Sequence, residues 1–370
     1  MKKFFKTLIK IIIVVAVVAG AAFLFYKNFL NEKGLKIVDW DNSYNENNIP
    51  LFYEDLSAGK SNTGLTQLDG LYKIKDGVKG KTNEKEIVFY GVDLLRSIAD
   101  YDDIEETDYN QGYLIIKDIG GRKKLSGRDL AILERDILLT EGIEARVGEF
   151  RKSNPKFTKD PSYYVVEYWS TEHKKWVMVD FRDRGMLEKD GLPLSAVEVM
   201  ESKLSELTYI GDMAQDTYKS KLKKYLSSYT IPVDNTLSKQ NSNTNLTYFT
   251  QKKDMTFQIG DEYTPFTIYT KRRLLFEKEP KSKDYTNDTR AYILMTKKVE
   301  NVAEGDEFTY VIGAFKNGKI LNEYYIQIND DPIQKVSGYI DVTLDEGKTT
   351  IEVKEDGQNL DSRIEVQRSK

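Results

Sequence analysis

Nine short runs of β-branched and aromatic residues follow one another from residue 255 to residue 367: "MTFQI", "FTIYTK", "RLLFEK", "AYILMTK", "FTYVIGAF", "EYYIQI", "YIDVTL", "TTIEVKE" and "SRIEVQ". Turns containing Asn-Gly, Asp-Glu-Gly and Asp-Gly separate several of them. Runs this short cannot bury a face as isolated helices, but they can by pairing and stacking as strands. The last third of the chain is therefore expected to be all β, most simply two stacked sheets.

The stretch "TIPVDNTLSKQNSNTN", with a proline and an Asn/Ser cluster, breaks the pattern and predicts a linker over 230–247. Beyond it, residues 248–370 predict a sandwich of immunoglobulin-like architecture. Before it the period is helical. In "EIVFYGVDLLRSIADY", Val92, Leu95 and Ile98 recur at helical spacing. Ser126 is a good N-cap with an acid three residues on, Asp129, and Leu130, Leu133, Ile137 and Leu138 share one face until Gly142 ends the helix. "ARVGEF", "SYYVVEYWS" and "KWVMVDFRD" read as strands, the last two joined as a hairpin through "TEHKK". Two more helices are expected in "LSAVEVMESKLSEL" and "GDMAQDTYKSKLKKYLSSY". Residues 31–85 are polar and read as a linker or irregular subdomain.

At the start, lysines precede an apolar run from Leu8 to Tyr26 that reaches about 28 Å as a helix, close to the hydrocarbon thickness of a bilayer. Residues 1–30 are thus expected to be a cytoplasmic stub and transmembrane anchor. The lysine bias predicts a single-pass protein with its N-terminus in the cytoplasm and its body outside the cell membrane. A cleaved signal peptide is the alternative, because "AGAA" lies near the end of the run.

Composition removes several chemistries. The chain has no cysteine and one histidine, His173, which excludes thiol nucleophiles, disulfides and Cys/His zinc sites. No cofactor or metal is expected. The net charge is −4 although the first ten residues carry four lysines, so the body lacks the basic stripe that a nucleic-acid partner requires. The acidic patch "DYDDIEETDY" lacks the ligand spacing and mid-loop glycine of a calcium-binding EF-hand and reads as a solvated loop.

Residues 120 to 183 nevertheless carry an ordered set of motifs: Ala131 four residues after Gly127, "GIEARV" after the helix, "YYVVE" from Tyr163 to Glu167, and "WVMVD" from Trp176 to Asp180. In this order and spacing the segment resembles the transglutaminase-like family, whose core is papain-like. The resemblance implies an α+β fold in which a helix carries a nucleophilic Cys at its N-terminus and two strands carry His and Asp. It fails where the chemistry lies. The nucleophile position holds Gly127, the base position Tyr163, and only the orienting carboxylate, Asp180, remains. Ser126 reads as an N-cap, and His173 falls in the hairpin turn, roughly 30 Å along the strand from the position of the base. Ser126, Glu167 and Trp176 are expected as cleft neighbours.

These readings imply a membrane-tethered, extracytoplasmic pseudoenzyme whose cleft binds a peptide, protein or cell-wall ligand without catalysis. Residue usage rich in Lys, Asn, Ile and Tyr resembles that of cell-surface proteins of low-GC Gram-positive bacteria. An assembly or scaffold protein of a cell-envelope complex is the alternative. A cell-wall hydrolase using Asp180 with Glu167 or Glu149 is a third reading, since paired carboxylates about 5 to 10 Å apart can cleave glycosidic bonds.

Overall fold

The computed structural model of the chain describes residues 35–40, 44, 49–57, 62–119, 124–152, 160–250, 267–280, 288–298 and 308–368. In chain order its strands are β1 (Leu35–Trp40), β2 (Asp100–Tyr101), β3 (Lys124–Leu125), β4 (Ala145–Arg151), β5 (Ser162–Ser170), β6 (Lys175–Val179), β7 (Met186–Lys189), β8 (Leu192–Pro193), β9 (Thr208–Ile210) and β10 (Ser228–Pro232). They continue with β11 (Asn245–Phe249), β12 (Thr267–Thr270), β13 (Tyr292–Lys297), β14 (Thr309–Lys316), β15 (Lys319–Ile320), β16 (Glu323–Ile328), β17 (Gln334–Ser337), β18 (Tyr339–Thr343), β19 (Gly347–Lys354) and β20 (Ser362–Arg368). The sheet that organises the molecule runs β15-β14-β13-β12-β11-β10-β4-β5-β6, with β18 also paired to β14. Its neighbours are antiparallel except β11 and β12.

Helices α1 (Thr63–Tyr72), α2 (Ile74–Gly77), α3 (Glu84–Ile98), α4 (Gly112–Ile119) and α5 (Gly127–Thr140) cover one face of the β4-β5-β6 end. Every residue of α5 from Asp129 to Thr140 is buried, because helices pack on one side of it and β4 and β5 on the other. Close approach needs a small residue: a Cβ at Gly112 would stand 2.9 Å from Leu133 Cδ1 and 3.1 Å from its Cα. The buried Asp136 accepts from Gly112 N at 2.7 Å and from Arg135 Nε at 2.8 Å, so the charge on α5 is balanced where α4 begins.

The opposite face of the sheet is covered by α6 (Ala196–Glu201), α7 (Gln215–Leu222), α8 (Leu274–Glu277) and a core rich in tyrosine, including Tyr163, Tyr218, Tyr229 and Tyr292. The far end of the sheet packs its Ile293, Tyr310 and Ile312 against a second sheet, β1-β20-β19-β16-β17.

The expected fold class is corrected by this topology. The molecule is mixed α and β, and its C-terminal strands do not close into an immunoglobulin-like sandwich of their own. Strands β11 to β15 extend the sheet begun by β4 to β6, and only the second layer, β16, β17, β19 and β20 with β1, is separate. The stretch expected as a linker, 230–247, holds parts of β10 and β11, which pair from Ser228↔Phe249 to Pro232↔Asn245 in the middle of the long sheet. Within 31–85 lie β1, α1 and α2. "RLLFEK" forms α8 rather than a strand, burying Leu275 and Phe276, and "MTFQI" lies outside the described residues.

The expected transmembrane helix and single-pass localisation are corrected as well. Among the described residues no helix is long and apolar enough to cross a membrane, and the run from Leu8 to Tyr26 lies outside those residues.

Candidate functional site at the start of the central helix

Ser126 sits in extended backbone and its Oγ accepts from Asp129 N at 3.1 Å, the N-cap that starts α5 at Gly127. The first turn then pins the acidic loop above it. Asp129 accepts from Thr107 N at 3.0 Å and Thr107 Oγ1 at 2.9 Å, while Arg128 Nη1 donates to Thr107 O at 2.7 Å and Tyr109 O at 3.2 Å. Ile104 and Tyr109 of that loop remain exposed.

What faces Gly127 is Tyr164. A Cβ built at Gly127 would lie 3.0 Å from Tyr164 Cδ2 and 3.6 Å from Tyr101 Cε2. The Tyr164 hydroxyl donates to Glu106 Oε1 at 3.0 Å, and the Arg182 guanidinium stacks 3.5 Å over the Tyr101 ring. The place where the resemblance would put a nucleophile is thus walled by aromatic rings.

Tyr163 points the other way. Successive residues of a strand alternate faces, and Tyr163 packs with Phe150, Val165 and Met178 on the face away from α5, whereas Val166 and Tyr168 pack with α5. Its hydroxyl donates to Asp180 Oδ2 at 2.5 Å and stands 3.0 Å from Asp183 Oδ2, which Lys221 Nζ approaches at 2.6 Å. Asp180 Oδ1 accepts from the backbone N–H groups of Arg182 at 3.0 Å and Asp183 at 3.2 Å. Burial, and then the charge of Asp180, push the Tyr163 phenol well above the usual range, so it is neutral and a donor. Burial, followed by the nearby Asp183 carboxylate, raises Asp180 against the opposing pull of the Tyr163 hydroxyl and Lys221. The structure brings Tyr163 and Asp180 together and sets Gly127 against a different tyrosine.

Glu167 and Trp176 belong to a structural keystone. The buried Arg146 contacts Glu167 Oε2 through Nε at 2.8 Å and Nη2 at 2.6 Å, donates to Phe276 O at 2.7 Å, and lies 4.1 Å over the Trp176 ring. Tyr229 donates to Glu167 Oε2 at 2.7 Å and Ala196 N to Oε1 at 2.8 Å, so both oxygens are engaged. Trp176 Nε1 donates to Lys278 O at 2.8 Å. Glu149 lies opposite Tyr164 in the ladder, paired with Arg151 Nε at 2.6 Å, and so does not share Glu167's face. His173 lies in the β5–β6 turn. Among the described residues no group of three or more His, Asp or Glu side chains is disposed to hold a metal ion.

Sequence reasoning missed Tyr164, Asp183 and Lys221. The "DFRD" spacing was the available signal for Asp183, since a turn after Asp180 returns the second acid to the first.

No protein family profile and no curated protein matches the chain. Among solved structures it is similar to a "putative cysteine protease" from Cytophaga hutchinsonii, at 15% identity and a TM-score of 0.27 over 54% of this chain and 54% of that one. It is also similar to a "putative protease" from Parabacteroides distasonis, at 14% identity and a TM-score of 0.23 over 40% of this chain and 28% of the other. The chain therefore spans about half the length of the first and less of the second. Likeness this slight carries no functional inference.

Proposed function

We propose that the chain is a non-catalytic binding protein, a pseudoenzyme of transglutaminase-like descent that holds a peptide or protein segment without cleaving or crosslinking it. The observation that carries this reading is the packing of the Tyr164 ring against the bare Cα of Gly127. That position has no atom with which to attack a carbonyl, and acyl transfer by this constellation needs a nucleophile beside a base. Two further features support it: Tyr163 is a neutral buried donor, and Ser126 Oγ is engaged in capping. The exposed Ile104 and Tyr109 on the pinned loop offer apolar contact for a bound segment.

The test is to incubate the full chain with a casein substrate, with and without a primary amine, and follow peptide release and amine incorporation. The expected result is neither. Turnover by the full chain that disappears in Asp180→Asn, with the fold intact by circular dichroism, overturns the reading.

A further inference from the structure

At the other end of α5 from Gly127, about 20 Å along the helix, the structure opens a cleft of about 440 Å³. This lies within the range of cavities that hold small ligands or single side chains, roughly 300–1,000 Å³. Ile87 of α3, Ile143 after α5 and Trp169 of β5 line it with apolar surface.

Its shape is set by contacts already made. Trp169 N donates to Glu144 O at 2.8 Å, and the indole stands edge-on to Trp176 with ring centres 5.7 Å apart. Glu84, the first residue of α3, accepts from Ser170 Oγ at 2.5 Å and from Thr171 N at 2.9 Å, fixing one wall.

Among the described residues, the charged side chains that line the cleft are Glu84, Glu144 and Glu279, and Gly142, which ends α5 with φ 87°, adds the partial negative charge of a helix C-terminus. An aromatic wall within a negatively charged, partly apolar cavity matches a side chain with a long aliphatic stem and a cationic head. We propose that this cleft binds an arginine side chain presented by an extended peptide segment of a partner protein. The stem lies along Ile87 and Ile143, and the guanidinium stacks on Trp169 within reach of the exposed Glu279 carboxylate. A planar guanidinium suits the site better than an ammonium because it both stacks and donates to carboxylates. The cleft shares no residue with Gly127, Tyr163 or Asp180, so it holds whether or not the reading of that site does.

Calorimetric titration of the full chain with acetyl-leucyl-arginine amide, and with the isosteric neutral acetyl-leucyl-citrulline amide, tests it. Saturable binding of the arginine peptide is expected, at least about tenfold tighter than the citrulline peptide. Glu279→Lys, at an exposed position that leaves packing untouched, should weaken the arginine peptide by at least about fivefold through charge reversal in partly wet surroundings. Trp169→Leu should weaken it further. Equal binding of the two peptides, no saturation by either, or indifference to Glu279→Lys overturns the proposal.

Discussion

The hydroxyl of Tyr163 donates to Asp180 Oδ2 at 2.5 Å, and both side chains are fully buried. This pair takes the place that a base and its orienting acid would hold in the resemblance, yet it faces away from the helix that would carry the nucleophile. In the fold it gives a partner to a carboxyl that burial has already made costly. Tyr163→Phe should destabilise the protein by about 1–3 kcal/mol, read from urea unfolding, because Asp180 loses a donor without gaining water. An unchanged midpoint would mean that Asp183 and Lys221 suffice.

The facing of Gly127 toward Tyr164 decides which repair can work. Gly127→Cys combined with Tyr164→His places imidazole on the α5 side of the sheet, where Glu106 already accepts from the present hydroxyl. The thiol in that double variant is expected to react with iodoacetamide with an apparent pKa below the ordinary 8.5 or so. The same thiol combined with Tyr163→His should titrate as a free thiol. The reverse ranking would mean that the sheet face assigned to Tyr163 is wrong.

Glu134 and Glu141 present a titration with a definite sign. Both Oε1 atoms lie 3.4 Å from the position a Cβ would take at Gly91, and the oxygens of both have no hydrogen-bond partner among the described residues. Burial, then Glu141 and Asp93, push Glu134 well above its usual value of 4.5, and burial raises Glu141 to about 8. An acid whose folded pKa exceeds its unfolded one keeps its proton in the native state after the unfolded chain has released it. Stability therefore falls as pH rises from about 4.5 toward 8 and is fully regained below the unfolded value. Glu134→Met should flatten part of that slope and stabilise the protein by about 1–3 kcal/mol at pH 8. Thermal melts across pH 5 to 8.5 measure it; parallel curves for variant and parent would contradict it.

The keystone at Arg146 makes a sharper demand. Arg146→Met leaves the Glu167 carboxylate buried with only Tyr229 and Ala196 N as donors. Removing one partner of a buried ion pair costs about 3–5 kcal/mol, enough to unfold a marginal protein. The double variant Arg146→Met with Glu167→Leu should recover part of that loss, and unfolding titrations of both read the difference.

Local order was legible in the sequence, and long-range pairing was not. Ser126, Asp129 and Gly142 marked both ends of α5 because capping is written in neighbouring residues. The β5–β6 hairpin was legible for the same reason. The facing of Tyr163 and Tyr164 was hidden, since β5 is covered on both faces and carries aromatic and aliphatic residues in a nearly unbroken run. With no polar alternation, only the packed layers decide which tyrosine meets α5. The Asn/Ser-rich break at 230–247 misled because the loop between β10 and β11 is polar while the strands beside it are central. Nothing local says that "RLLFEK" is helical; Leu275 and Phe276 are recruited by the tyrosine-rich core.

Strand β1 lies against β20 with Leu35 opposite Arg368 and Trp40 opposite Ile364. The first and last strands of the described fold thus meet side by side, with their outer ends at the same edge. Tension applied through residues 35 and 368 would load this ladder one rung at a time, like a zip, rather than shearing all its hydrogen bonds together. Pulled in this direction, the described fold would open in sequence, starting from the rung that joins its first strand to its last.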